Sequence, residues 1–264
     1  SLDVNAKNNT NVQMLLEAPY TGGTPFYFED ASSIAISGTV GNLTLFARYI
    51  DPAGTVTTTD GNARSSYMTY VNDPVDLTAP GNIKVKSFYI SNLSVNVGGT
   101  AEIGQASNSM WLGGDFTATG TGSVNFINNT KGASFGSTGF DINIGGDALI
   151  NNYDFSDYSN TKGVSVIAGG QIQAQGFTEL YGVGQGSSPE PQPYTFQAGG
   201  DIDLSNLVSM GLPRPASTMA DTTSPRATNV SITSASGNIN LSSLTAIKTT
   251  ADGTTTIDAG TGNV

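Results

Sequence analysis

Asp201 and Asp203 stand two residues apart, directly after the Gly199-Gly200 doublet, with Ile202 between them. Alternate side chains of an extended strand share a face, so the two carboxylates point the same way. Comparable pairs are Asp141/Asn143, Gln171/Gln173 and Asn238/Asn240. Stacked one above another, these segments would align their carboxylate and amide oxygens in a polar row. Such a row can coordinate Ca²⁺ through hard oxygen ligands or hydrogen-bond sugar hydroxyls. Two carboxylates facing each other across a glycosidic bond are also sufficient for glycoside hydrolysis, and the chain has 21 Asp and Glu. A row of Asn-type ladders on a solvated face needs no chemistry at all, and no Lys or Arg lies near the row in sequence to take a proton. The chain has no His and no Cys, which excludes Ser–His–Asp triads, thiol chemistry, disulfides and ordinary zinc centres.

The elements that must position these pairs are marked by a recurring phrase. A Gly-Gly doublet followed by Thr, Asp or Gln flanks a short run of alternating apolar and polar residues. It stands at Gly98-Gly99-Thr100, Gly113-Gly114-Asp115, Gly145-Gly146-Asp147, Gly169-Gly170-Gln171 and Gly199-Gly200-Asp201, with a relative at Gly237-Asn238. Runs such as Leu93/Val95/Val97, Ile142/Ile144, Val164/Val166/Ala168 and Val230/Ile232 have the period of strands with one buried face. The doublets are unevenly spaced. A propeller blade needs about 40–50 residues at near-constant length, whereas a stacked coil tolerates corners of variable length. Glycine at those corners is expected to supply positive φ. The expected fold is all-β, a parallel β-helix or β-solenoid. A β-sandwich is the alternative, with two-residue turns at more even spacing.

Composition narrows the partners. Charged residues are only 12% of the chain, too few for a typical disordered segment of low hydrophobicity. The formal net charge is −11 with ten Lys and Arg, so a phosphate backbone is repelled and nucleic acid is excluded as an expected partner. The same charge disfavours anionic membranes, and no run is long and apolar enough to insert into a bilayer. Cations and neutral glycans remain.

Residues 1–78 read as an N-terminal β cap or accessory region, and residues 79–264 as the solenoid. In the first part, Ile34-Ala35-Ile36 and Leu43-Thr44-Leu45-Phe46 are two β runs separated by Ser37-Gly38 and Gly41-Asn42 turn signals. Val12, Met14, Leu15 and Leu16 make a short apolar stretch in polar surroundings; a segment near 10–18 is expected either to donate a strand to a neighbour or to pack in its own domain. Residues 182–194 and 211–228 are rich in Pro, Gly and Ser and are expected to project as loops. Trp111, Tyr20, Phe26, Tyr27 and Phe28 could stack on sugars, but aromatics beside strands are more often core. The start at Ser1 suits a processed protein. The last turns reach Val264 without a polar cap, so the chain is expected to continue or another subunit to cover that end.

Val230-Ser-Ile-Thr-Ser-Ala-Ser-Gly-Asn-Ile-Asn-Leu-Ser-Ser, Ala168-Gly-Gly-Gln-Ile-Gln-Ala and Ala198-Gly-Gly-Asp-Ile-Asp-Leu resemble the repeats of filamentous-haemagglutinin-type adhesins. The resemblance covers residues 160–250 well and 80–160 loosely. It implies a right-handed parallel β-helix on a bacterial cell surface. The Asn-Pro-Asn-type motifs of that family's secretion domain are missing here. The functional expectation is a secreted, non-enzymatic surface protein, either a filament subunit that associates end to end or an adhesin segment that binds a glycan or protein receptor. The alternative is a polysaccharide-processing β-helix enzyme, a lyase or hydrolase, since pectate-lyase-like proteins resemble this layout with acids holding Ca²⁺.

Overall fold

A computed structural model describes residues 2–19, 34–50, 75–86, 89–90, 92–104, 110–127, 130–132, 139–151, 153–154, 163–181, 191–212 and 227–264. These residues form strands joined by turns and no helix. Two long strands, β1 (Leu2–Pro19) and β2 (Ile34–Ile50), come first. Short strands then follow in threes: β3 (Val75–Ala79), β4 (Asn82–Lys86), β5 (Tyr89–Ile90); β6 (Leu93–Val97), β7 (Thr100–Ile103), β8 (Met110–Leu112). The next are β9 (Phe116–Gly120), β10 (Ser123–Phe126), β11 (Thr130–Gly132); then β12 (Phe140–Ile144), β13 (Ala148–Leu149), β14 (Tyr153–Asp154). The later threes are β15 (Val164–Ala168), β16 (Ile172–Gln173), β17 (Glu179–Tyr181); β18 (Gln192–Ala198), β19 (Ile202–Asp203), β20 (Ser209–Leu212); and β21 (Ala227–Ser234), β22 (Ile239–Asn240), β23 (Ala246–Ile247), before β24 (Thr255–Asp258).

From β3 onward, strands pair in parallel with the strand three places later in the chain, making three columns. The first runs β3-β6-β9-β12-β15-β18-β21-β24, in register from Leu93↔Phe116 through Phe140↔Val164 to Val230↔Thr255. The second runs β4-β7-β10-β13-β16-β19-β22. The third is in two pieces, β5-β8-β11-β14 and β17-β20-β23. Every strand pairing among the described residues is parallel, whereas the hairpins of a sandwich would pair antiparallel. Parallel sheets usually bury both faces and read as continuous apolar runs. Here the strands alternate instead: Val75–Ala79 and Phe140–Ile144 each place residues 1, 3 and 5 inside and the other two in solvent. The inward residues of all three columns belong to one apolar cluster, in which Ile90 and Leu112 of the third column join Val95, Ile103 and Phe126. A chain of aromatic contacts runs through it: Phe116 meets Phe126 edge-on with centroids 5.0 Å apart, Phe140 lies 5.3 Å from Phe116, and Phe177 bridges Phe140 and Phe196 at 6.0 Å each.

The N-terminal strands join the same large sheet. Ile34–Ile36 of β2 pair with Val75–Leu77 of β3, and Asn42–Phe46 pair with Asn82–Lys86 of β4. One strand thus spans both columns where two runs separated by turns were expected. The turn residues mark an irregularity in pairing: the β1–β2 register shifts between Ala6↔Gly38 and Val12↔Leu43. The Pro-rich stretches also begin and end differently from expectation. β18 starts at Gln192 and carries Pro193, which has no N–H to donate, and the register with β21 shifts at that point, between Gln192↔Ala227 and Tyr194↔Val230. β20 reaches Leu212 and β21 starts at Ala227. Residues 182–190 and 213–226 lie outside the described residues, as do Tyr20, Phe26, Tyr27 and Phe28.

Candidate functional site

The corner between the first and second columns carries the Gly-Gly phrase, and its physical basis is close approach. A Cβ on Gly169 would collide with the carbonyl oxygen of Gly145, and a Cβ on Gly199 with that of Gly169. These glycines do not hold positive φ, so the expectation of left-handed corners is corrected; among the described glycines that conformation belongs to Gly104, Gly120, Gly163, Gly211 and Gly260. Each corner stacks backbone on backbone through bonds such as Gly169 N–H to Ile144 O (2.9 Å) and Gly199 N–H to Ala168 O (3.0 Å). Gly113-Gly114 stands elsewhere, between β8 and β9. The corner equivalent to the other doublets in that unit is Thr121-Gly122, where a Cβ on Gly145 would meet the Thr121 oxygen.

The polar residue that follows the doublet ties each unit to the next. The backbone N–H of Thr100 donates to Oδ1 of Asn82 (2.8 Å), and that of Asp147 to Oγ of Ser123 (2.9 Å). Gln171 N–H donates to Oδ1 of Asp147 (2.9 Å), Asn238 N–H to Oδ1 of Asp201 (2.7 Å), and Asn263 N–H to Oδ1 of Asn238 (3.0 Å). A second ladder runs along the start of the first column. Asp115 N–H donates to Asn92 Oδ1 (2.8 Å), Gly139 N–H to Asp115 Oδ1 (2.8 Å), and Thr254 N–H to Asn229 Oδ1 (3.0 Å). Turn amides that lack a strand partner are satisfied in this way in part-buried and exposed positions alike.

The structure brings together three of the four sequence-derived pairs. Ile172↔Ile202↔Ile239 and Gln173↔Asp203↔Asn240 are in register, so Gln171/Gln173, Asp201/Asp203 and Asn238/Asn240 form a row. Asp141 and Asn143 are not part of it. They belong to β12 in the first column, opposite Ser165 and Ile167, because their pair precedes a glycine corner while the other three follow one. Their place in the row is taken by Asp147 and Leu149. Within the row the polar groups bond to one another: Gln173 Nε2 donates to Gln171 Oε1 (3.1 Å) and Gln175 Nε2 to Asp203 Oδ2 (2.7 Å). Ser205 N–H donates to Asp203 Oδ1 (3.0 Å) and Ser242 N–H to Asn240 Oδ1 (3.2 Å). Partial burial pushes the Asp203 carboxyl up, but the hydrogen bonds from Ser205 and Gln175 outweigh it and hold the group below its ordinary value. Among the described residues no three acidic side chains are grouped to hold a metal ion.

A feature that the sequence reading missed lies on the outer face of the first column. Asp115, Gly139 and Gly163 directly precede β9, β12 and β15, and Pro193, within β18, occupies the equivalent place in the next unit. Gly139 and Gly163 carry no side chain at the place where Asn92, Asp115 and Asn229 stand in other units, and a Cβ on Gly163 would collide with the carbonyl oxygen of Pro193. A groove of about 330 Å³ opens there, rimmed by Thr117, Asp141, Ser165 and Thr195. Gly163 has φ +89°, a conformation that disfavours any side chain at its floor. The signal in the sequence was the alignment of Asp115, Gly139 and Gly163 at the same offset before an apolar strand.

The remaining candidates are placed as follows. Val12, Met14, Leu15 and Leu16 pair in parallel with Leu43, Leu45, Phe46 and Ala47 of the same chain. Trp111 is half-buried between the buried Met110 and Leu112, on the outward side of β8. Comparison with protein-family models, curated proteins and solved structures finds no match to this chain.

Proposed function

We propose that the chain winds as a right-handed parallel β-helix and serves as a secreted, non-enzymatic surface protein, with the adhesin segment as the leading form. The observation that carries this reading is the use to which its polar rows are put. Oxygens of Asn82, Ser123, Asp147, Asp201 and Asn238 each accept a backbone N–H from the following unit. Groups engaged in holding the stack together are poorly suited to proton transfer. The Asp203 carboxylate, held anionic, is likewise a poor general acid. The pairing of Val12 to Leu16 inside their own chain supports the adhesin form over strand donation to a neighbour. The resemblance of residues 160–250 to haemagglutinin-type repeats agrees with a surface location.

The reading is tested in two steps. The purified chain, incubated with a panel of plant and microbial polysaccharides, should release neither unsaturated nor reducing sugar. Fluorescently labelled chain should bind intact cells or extracellular matrix saturably, and antibodies should detect the native protein on unbroken producing cells. Sugar release abolished by Asp201→Ala or Asp203→Ala would establish the enzyme alternative. Fibres in negative stain of native surface material would favour the filament form.

A further inference from the structure

The groove on the first column has a chemistry of its own. Its rim carries a carboxylate acceptor, Asp141, and hydroxyls of Thr117, Ser165 and Thr195, which both donate and accept. These four residues are in register, Thr117↔Asp141↔Ser165↔Thr195, and Asp141 is exposed. Adjacent strands lie about 4.8 Å apart, so the row spans about 14 Å. The Pro193 ring offers apolar surface beside the polar rim. Among the described residues no Lys or Arg lines the groove, and the net charge of −11 on the chain as a whole disfavours anionic ligands. Its volume, about 330 Å³, is at the small end of ligand sites.

A ligand that fits must be elongated, uncharged and rich in hydroxyls, with C–H faces between them. We propose that this groove is a binding subsite for a neutral linear polysaccharide, seated along the Thr117–Asp141–Ser165–Thr195 row. The proposal rests on the adhesin reading and names its receptor class. Asp141 accepts hydrogen bonds from a pair of sugar hydroxyls, and Ser165 and Thr195 complete the row. The C–H face of a neighbouring ring lies against Pro193. Asp141 was singled out in the sequence as one of a polar pair, and the fold gives it this different setting.

The test is saturation-transfer NMR and calorimetry on the whole chain with cellohexaose, xylohexaose, mannohexaose, maltohexaose and chitohexaose, and with hexagalacturonate as the anionic control. At least one neutral hexasaccharide should bind, and more tightly than hexagalacturonate. Asp141→Ala should weaken it about tenfold or more, as expected for loss of a charged acceptor, and Thr195→Val severalfold. Asp76→Ala, in the same outward row but outside the groove, should leave it unchanged. Circular dichroism confirms the fold of each variant. Absence of binding by every neutral oligosaccharide up to about 10 mM overturns the proposal, as does equal sensitivity to Asp141→Ala and Asp76→Ala. If labelled chain still binds cells while every hexasaccharide fails, the groove assignment is wrong and the adhesin reading stands. If both fail, the adhesin reading falls with it.

Discussion

Gly199 and Gly200 are neighbours in one doublet, and the structure assigns them opposite responses to alanine. A Cβ on Gly199 overlaps the carbonyl oxygen of Gly169, which is backbone and cannot turn aside. Relief requires the two units to separate at that corner. Separation stretches the bonds from Gly199 N–H to Ala168 O (3.0 Å) and from Gly200 N–H to Gly170 O (2.9 Å). Two weakened backbone bonds at about 1 kcal/mol each, with about 1 kcal/mol of overpacking, give a loss of about 3 kcal/mol. A Cβ on Gly200 instead meets the Gly170 oxygen at 3.5 Å, an ordinary contact. There the alanine narrows the unfolded ensemble and should add about 0.4–1 kcal/mol of stability. Urea unfolding followed by circular dichroism reads both variants, with the slope of the transition reporting whether cooperativity is retained. The expected result is a midpoint lowered by Gly199→Ala and held or raised by Gly200→Ala. Equal effects of the two substitutions would refute close approach as the reason for the doublet.

Tyr194 is fully buried and its hydroxyl has no hydrogen-bond partner among the described residues, so Tyr194→Phe should raise stability by about 1 kcal/mol, measured in the same urea titration. Asp147→Ala removes the acceptor of Gln171 N–H and should cost about 1–2 kcal/mol, while Asp147→Asn keeps an oxygen and should cost less; hydrogen exchange at the Gln171 amide should accelerate only in the alanine variant. The Asp203 carboxyl is depressed in the folded chain, so below its ordinary value of 3.8 the unfolded chain takes up the proton first. Its contribution is therefore complete above that pH and is lost as the pH falls through the folded value. Asp203→Asn should flatten the acid side of the stability profile without changing its shape near neutrality.

The alternation of Leu93/Val95/Val97 or Val164/Val166/Ala168 was legible because five-residue strands with one wet face repeat a period of two. Assigning strands to columns was harder. β13, β16, β19 and β22 are two residues long and show no period, so Asp141/Asn143 in β12 looked equivalent to Asp201/Asp203. In the middle units a shared offset marks the true equivalents: the bonds from Asp147 to Ser123 and from Gln171 to Asp147 each span 24 residues, as does Gly139 to Asp115, whereas Asn238 to Asp201 spans 37. Gly113-Gly114 broke that count because its composition matches the corner doublets while its position does not. The groove was not legible from Asp141 alone, since its lining comes from four successive units of the first column.

The account depends on units stacked in parallel with a constant step, and distances between outward positions of the first column measure that step. The chain has no Cys, so pairs introduced at Ser94 and Ser231, or at Asp76 and Thr256, can be spin-labelled cleanly. These positions lie five and seven strands apart in the pairing order β3-β6-β9-β12-β15-β18-β21-β24. At about 4.8 Å per strand the separations should be about 24 and 34 Å, each as a single narrow peak in a pulsed electron–electron resonance measurement. A separation that fails to grow with strand number, or a broad distribution, would contradict the stacked parallel arrangement and the surface reading built on it.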